Sequence, residues 1–226
     1  MNPKRHIIPV FVPHLGCPNH CVFCNQRKIS GQIAPQTPET VKEQIEEALA
    51  KIPRGAPCEL AFYGGSFTAI AAEEQEALLS AAAPYRATGR IQAVRISTRP
   101  DCVDKRTVER LLSYGVKTVE LGVQSLDEEV LRKTNRGHTA QDAAHAVSLL
   151  REGGFAVILQ MMTGLPAATP EKDIATAEKI IALAPDGVRI YPTVVVRDTP
   201  LYDMWALPGA YGAAGGKTLL CSFGAV

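Results

Sequence analysis

The sequence predicts an α/β fold: an open parallel sheet of six strands with outer helices, curled as a partial (βα)6 TIM-like barrel. Three observations predict it. Apolar runs of strand length alternate six times with stretches of helical, 3.6-residue periodicity. No internal linker interrupts the series. The chemically unusual residues gather just after the strands, where parallel α/β sheets place their ligands. Right-handed crossovers turn such a series into a parallel sheet with helices outside it. Six units suit an open barrel rather than a closed eight-stranded one, and a flat doubly wound sheet is the structural alternative.

The elements follow in order. A first strand is expected over His6–Val12. A cysteine-rich loop comes next, and then Thr37 caps a helix with Pro38 at its first position and Glu39 in its first turn. Val41, Ile45, Ala48, Leu49 and Ile52 form its apolar stripe, and Pro53-Arg54-Gly55 ends it. A second strand, Cys58–Tyr63, runs into Gly64-Gly65-Ser66, and a helix follows through Glu74–Ala83. The third strand is Ala93–Thr98, followed by a helix over Lys105–Tyr114 that stops at Gly115. The fourth strand, Thr118–Val123, leads to helical stretches at Glu128–Lys133 and Gln141–Arg151, closed by Gly153-Gly154. The fifth strand is Ala156–Met162, the next helix is Glu171–Leu183, and the sixth strand is Val188–Tyr191. Residues 1–205 thus form one core domain. Residues 206–226 carry Gly209, Gly212, Gly215, Gly216 and Gly224 without an amphipathic stripe, and read as a flexible or aberrant tail of a truncated or frame-shifted product.

Composition narrows the function classes. With 226 residues, 46% of them hydrophobic and 21% charged, the chain can bury a sizeable core. A formal net charge of +1 supplies no global field for nucleic acid or membrane. No apolar run is long enough to span a bilayer, and Ile7–Val12 is too short for a signal peptide core, so a cytoplasmic protein is expected. Three of the six cysteines cluster, which points to a reducing compartment and a metal site rather than disulfides. Cys58, Cys102 and Cys221 are scattered and read as packing.

The cluster is Cys17, Cys21 and Cys24, in C-x3-C-x2-C spacing after the first strand. As buried small hydrophobes they would not be separated by Pro18, Asn19 and His20. A Cys3His zinc site closed by His14 or His20 is an alternative, although no second ligand knuckle follows. A cubane iron–sulfur cluster is usually held by four thiolates, one per iron, so three leave one iron open. The spacing, with Phe23 just before the last cysteine, resembles the cluster loop of the radical S-adenosylmethionine (radical SAM) enzymes. The resemblance implies a [4Fe–4S] cluster on Cys17, Cys21 and Cys24. It also implies SAM on the open iron and an external one-electron reductant whose electron releases a 5′-deoxyadenosyl radical.

The strand ends supply candidate SAM contacts. Gly64 and Gly65 expose backbone to a close ligand. They resemble the glycine motif of the superfamily that receives the SAM amino group, with Ser66 where several members carry an acid. Ser97 ends the third strand and Tyr191 the sixth. Gln124 stands where the fourth strand meets solvent; its plain alternative is a turn cap. Arg136 suits a carboxylate, and its plain alternative is a solvated charge beside Arg132 and Lys133. Gln124 followed by Arg136 resembles the oxygen-independent coproporphyrinogen oxidases, which implies ribose and carboxylate contacts respectively. Gln160 stands where those enzymes place an aspartate on the ribose. With Phe23, these residues make the predicted cofactor site.

A wider set of motifs recurs together. It comprises Phe-Val-Pro-His-Leu-Gly-Cys at 11–17, Phe-Tyr-Gly-Gly-Ser-Phe-Thr at 62–68, Thr-Arg-Pro-Asp at 98–101, Glu-Leu-Gly-Val-Gln-Ser at 120–125 and Arg-Gly-His-Thr at 136–139. The set resembles the radical SAM domain of the Elongator catalytic subunit and its shorter bacterial relatives over about residues 5–203. It implies modification of transfer RNA. No acetyltransferase domain accompanies it here, so acetyl transfer is not carried over, and Ser97 replaces an acid of the Elongator pattern. Arg27, Lys28, Arg99, Arg132, Lys133, Arg136, His138, Arg189 and Arg197 lie in or near the mouth loops, as a rim for RNA phosphates or as solvated surface. Three readings follow: a radical SAM enzyme acting on RNA, a zinc-stabilised module, or a fragment that binds the cluster without turnover.

Overall fold

The computed structural model describes residues 5–12, 17, 19–25, 34–207 and 211. Six strands, β1 (His6–Val12), β2 (Cys58–Gly64), β3 (Ala93–Thr98), β4 (Val116–Gln124), β5 (Ala156–Thr163) and β6 (Gly187–Pro192), form one sheet. Every neighbouring pair is parallel, and the spatial order is the chain order, β1 to β6. The sheet is the open, half-barrel arrangement that the six-unit alternation predicts, not a doubly wound sheet, whose strand order would reverse.

Local chemistry accounts for the elements. Alternate residues of each strand face opposite sides. Ile8, Val10, Leu60, Phe62, Val94, Ile96, Val119, Leu121, Val157 and Leu159 point one way and are buried. Helices cover that face. Helix α1 (Pro38–Lys51) buries Val41, Ile45 and Leu49, and begins with a capping box in which Thr37 and Thr40 bond each other's backbone N–H. Helix α4 (Lys105–Ser113) buries Val108 and Leu111 and is capped by Asp104. Helix α5 (Glu128–Lys133) is capped by Asp127, and α6 (Ala140–Glu152) by a capping box of Thr139 and Asp142. Helix α7 (Pro170–Ala182) follows β5 and is capped by Thr169.

Two details differ from the expectation. The helix anticipated through Glu74–Ala83 is two: α2 (Ala72–Ser80) and α3 (Ala83–Ala87). Pro84 cannot donate an intrahelical N–H and is tolerated only in a first turn, so a new helix starts there. A further helix, α8 (Pro200–Ala206), capped by Thr199, closes the described core and spans the expected boundary at 205. The Tyr211 hydroxyl donates to the Gly164 carbonyl. The remainder of the expected tail, 208–210 and 212–226 with Cys221, lies outside the described residues, as do His14, Arg27 and Lys28.

Candidate active site

The site is built where β1 and β2 end together. Val12 pairs with Gly64. Gly64 has φ +111°, and a Cβ there would stand 2.5 Å from the Val12 carbonyl oxygen. Only glycine fits, because the backbone of β2 passes directly against the Val12 carbonyl at the end of β1. The Gly65 N–H donates to that same carbonyl at 3.3 Å, and the Ser66 N–H donates to Cys17 Sγ at 3.3 Å. The Ser66 hydroxyl turns away, bonding Thr98 Oγ1 at 2.8 Å and accepting the Arg99 N–H at 3.2 Å. Ser66 therefore serves the cysteine through its backbone, while its side chain ties β2 to β3.

The cysteine loop is held from several sides. Its Val22 N–H donates to Thr134 O at 3.1 Å, and Val22 O accepts Leu201 N–H at 2.9 Å. Asn135 Nδ2 donates to His20 O at 2.9 Å, and Asn25 Nδ2 to Asp198 O at 3.1 Å. Cys21 is buried, with Arg136 Nη1 donating to its sulfur at 3.2 Å and Arg99 Nη1 at 4.0 Å. Two guanidinium groups thus face one sulfur, the charge that offsets a metal-bound thiolate. Burial pushes the Cys17 thiol up, against the Ser66 N–H and the Arg99 and Arg136 charges that pull it down. Among the described residues no three His, Cys, Asp or Glu side chains converge as one metal ion would require. The three cysteines instead share one cavity, which suits a cluster in which each thiolate takes its own iron.

That cavity has a volume of about 160 Å³ and lies at the carboxyl ends of the strands. Of the residues the sequence assigns, Cys17, Cys21, Cys24, Phe23, Gly64, Gly65, Ser66, Ser97, Gln124, Arg136 and Gln160 all line it. Tyr191 does not; it lines an adjoining chamber of about 400 Å³. Phe23, Cys24, Gly64, Ser97, Gln124 and Gln160 border both spaces, and Phe11, Tyr63, Met162 and Val196 complete the outer, apolar one.

Gln124 sits at a break in the β4–β5 register and has φ +67°, a left-handed backbone rare outside glycine. Its Oε1 is buried without a partner, as is Arg136 Nε. Buried polar atoms left unpaired cost about 1–3 kcal/mol each, so both suit a polar ligand in this cavity. Arg136 Nη2 donates to the Gly122 carbonyl, and Arg99 Nη2 to the Arg136 carbonyl. His138 bonds the Val123 carbonyl through Nε2 at 3.2 Å.

The expected basic rim divides. Arg99, Arg136 and His138 are 3%, 6% and 5% exposed, and each turns at least one nitrogen to Cys21 or to a backbone carbonyl. They belong to the interior of the site, and Arg99 is also paired there with the Asp101 carboxylate, through Nε at 2.9 Å and Nη2 at 3.0 Å. Arg132, Lys133 and Arg197 are exposed, and Arg189 reaches back to Glu120. Glu59, Arg95 and Glu120 were not singled out from the sequence. They form a charged band on the concave face below the cavity, with Glu59 and Glu120 buried and Arg95 half-buried between them. Charged residues inside otherwise apolar strands were the available signal.

The sequence pattern of the radical SAM superfamily matches residues 11–180. The chain belongs to the radical SAM superfamily. Among curated proteins it resembles the tRNA uridine(34) acetyltransferase of Dehalococcoides mccartyi. The two are 31% identical over 236 residues, covering 88% of this chain and 50% of that protein. It also resembles the mouse (Mus musculus) Elongator complex protein 3, at 43% identity over 115 residues, 50% of this chain and 21% of that protein. Among solved structures, the archaeal Methanocaldococcus infernus Elp3 with an N-terminal deletion superposes with a TM-score of 0.72. Its identity is 26%, and the match covers 93% of this chain and 50% of that one. Coproporphyrinogen III oxidase from Escherichia coli shares the fold, with a TM-score of 0.63 at 20% identity over 85% of this chain and 44% of that one. This radical SAM chain spans half or less of the length of these relatives. No helix among the described residues is long and apolar enough to cross a membrane.

Proposed function

We propose that this chain is a radical SAM enzyme that holds a [4Fe–4S] cluster on Cys17, Cys21 and Cys24, cleaves SAM reductively with an external one-electron donor, and acts on transfer RNA in the cytoplasm. The observation that carries the reading is the shared cavity, where three thiols meet unpaired polar groups suited to SAM. When bound, the cluster and SAM together supply a 5′-deoxyadenosyl radical that takes hydrogen from substrate. The chain's own residues bind and orient. Gly64 and Gly65 leave their backbone open to a ligand, with no Cβ in the way. Arg136 Nε is a spare donor for a carboxylate, and Gln124 Oε1 a spare acceptor for a hydroxyl or amine. Phe11, Phe23 and Tyr63 give the outer chamber an apolar wall beside the cluster cavity.

The test is anaerobic reconstitution with iron and sulfide, reduction, and addition of SAM. About four iron and four sulfide per chain, with deoxyadenosine formed, is the expected result. Zinc without a cluster would overturn the assignment of the three cysteines. A cluster that SAM perturbs without cleavage would make the chain a binding fragment. The transfer RNA substrate is supported by the likeness to a tRNA uridine(34) acetyltransferase and by exposed Arg132, Lys133 and Arg197. Binding that weakens with salt and with Arg132→Glu and Lys133→Glu is expected; no binding at low salt would remove RNA from the reading.

A further inference from the structure

The concave face of the sheet holds a charged network to which the proposed reaction assigns no task. Glu120, in the middle of β4, is fully buried. Its Oε1 accepts Arg95 Nη1 at 2.9 Å, Arg189 Nη2 at 3.0 Å and the Tyr63 hydroxyl at 3.2 Å. Arg95 is fixed in turn, donating to Glu59 Oε2 through Nε at 3.2 Å and Nη2 at 2.9 Å. Glu59 Oε1 accepts Arg5 Nη1 at 2.6 Å. A carboxylate held by three donors on one oxygen cannot swing without unpairing buried charge. Its other oxygen, Oε2, accepts Gln160 Nε2 at 2.9 Å.

That last bond sets a polarity. A carboxylate only accepts, so the Gln160 amide must turn its nitrogen to Glu120. The carbonyl Oε1 is then the end left for a ligand, and among the described residues it bonds nothing. Gln160 borders both the inner cavity and the outer chamber, as does Gln124, whose Oε1 is also without a partner. The site thus presents two amide oxygens and asks for donors.

We propose that Glu120 is a positioning residue which, through Gln160, makes this wall of the site an acceptor and so selects a ligand carrying a hydroxyl donor there. The inference rests on the SAM reading above, in which the hydroxyls are those of the ribose. A methionine at 160, with no amide for Glu120 to orient, would not impose that choice. An unpinned amide could turn either end to the ligand.

The experiment is equilibrium binding of S-adenosylhomocysteine and its 2′-deoxy and 3′-deoxy counterparts to the reconstituted full chain, without reductant. The wild type should favour the complete ribose over at least one deoxy ligand by about three- to tenfold, the worth of one neutral hydrogen bond. In Glu120→Asp, which keeps the charge for Arg95 and Arg189 but withdraws the oxygen from Gln160, that preference should fall below about twofold. Gln160→Met should abolish it. A merely structural role would weaken all three ligands alike and leave the ratio intact, and an unchanged ratio in either variant overturns the inference. Wild-type binding without discrimination overturns it alone, whereas no binding of any ligand removes the SAM reading and this inference together.

Discussion

His138 is a histidine that the fold keeps neutral. Burial first, then the Arg136 and Arg99 charges, push its pKa down from 6.5 to about 4. The unfolded chain takes up the proton that the folded chain refuses, so the sign is fixed. Stability linked to this group is complete above about pH 6.5 and is lost as the pH falls through the window towards 4. At pH 4.5 the loss relative to pH 7 is about 2–3 kcal/mol. His138→Gln keeps a donor for the Val123 carbonyl and should flatten this dependence in urea titrations at the two pH values. Equal losses in both proteins would assign the acid sensitivity elsewhere. Gly64 makes a second prediction at this scale. In Gly64→Ala the new Cβ meets the Val12 carbonyl, and φ +111° is closed to side chains. The cost is at least about 1–3 kcal/mol, and the displaced Val12 leads into the cysteine loop, so iron retained per chain should fall. Gly55→Ala is the control, since its φ is +83° but nothing lies within 4 Å; it should lower stability and leave iron content unchanged.

Among the elements, α6 links the Arg136–His138 segment to the core. Thr139 accepts the Asp142 N–H at 3.1 Å, and Asp142 Oδ2 accepts the Thr139 N–H at 2.7 Å. Thr139→Ala should cost about 1 kcal/mol in denaturant midpoint, and Thr139→Ser should recover most of it. The Thr37 cap of α1 was read from the sequence, as were all six strands, because both are local signals; the Thr139 box was not singled out, although its Thr-x-x-Asp spacing is equally local. The break between α2 and α3 was not legible: alanines run through it, and only Pro84 marks the new start. The cavity was legible for the same reason as the strands, since each strand end announces its own glycine, serine or glutamine. What lay beneath was not. Whether Glu120 faces helices or the concave side depends on register across the sheet, which a single strand does not encode. The burial of Arg136 and His138 was hidden likewise, because their partners come from the cysteine loop and from β4.

At the scale of the molecule, one core lies between the sheet and its helices, and the site occupies one rim of the concave side. Phe62, fully buried in β2 and packed against Phe67 with ring centroids 5.0 Å apart and planes tilted by 32°, belongs to that core. Phe62→Ala should cost about 3–5 kcal/mol by denaturant titration. If it unfolds no more easily than wild type, the sheet–helix layer is not what holds the chain together. The sheet also adds its strands in strict chain order, and this bears on the route by which the chain folds. Ser97 faces Glu120 across β3 and β4, whereas His6 faces Cys58 across β1 and β2. The first pairing therefore closes more than twice the length of chain that the third does, at roughly 0.6 kcal/mol more loop entropy per doubling. Nucleation at β3–β4 and late docking of β1 are the expected sequence of events, so that in pulsed hydrogen exchange β1 amides gain protection after those of β4. The thiols hang from the last strand to arrive. On refolding, iron that reached the chain before β1 docked would meet thiols still apart from the ends of β2 to β5 that complete their cavity.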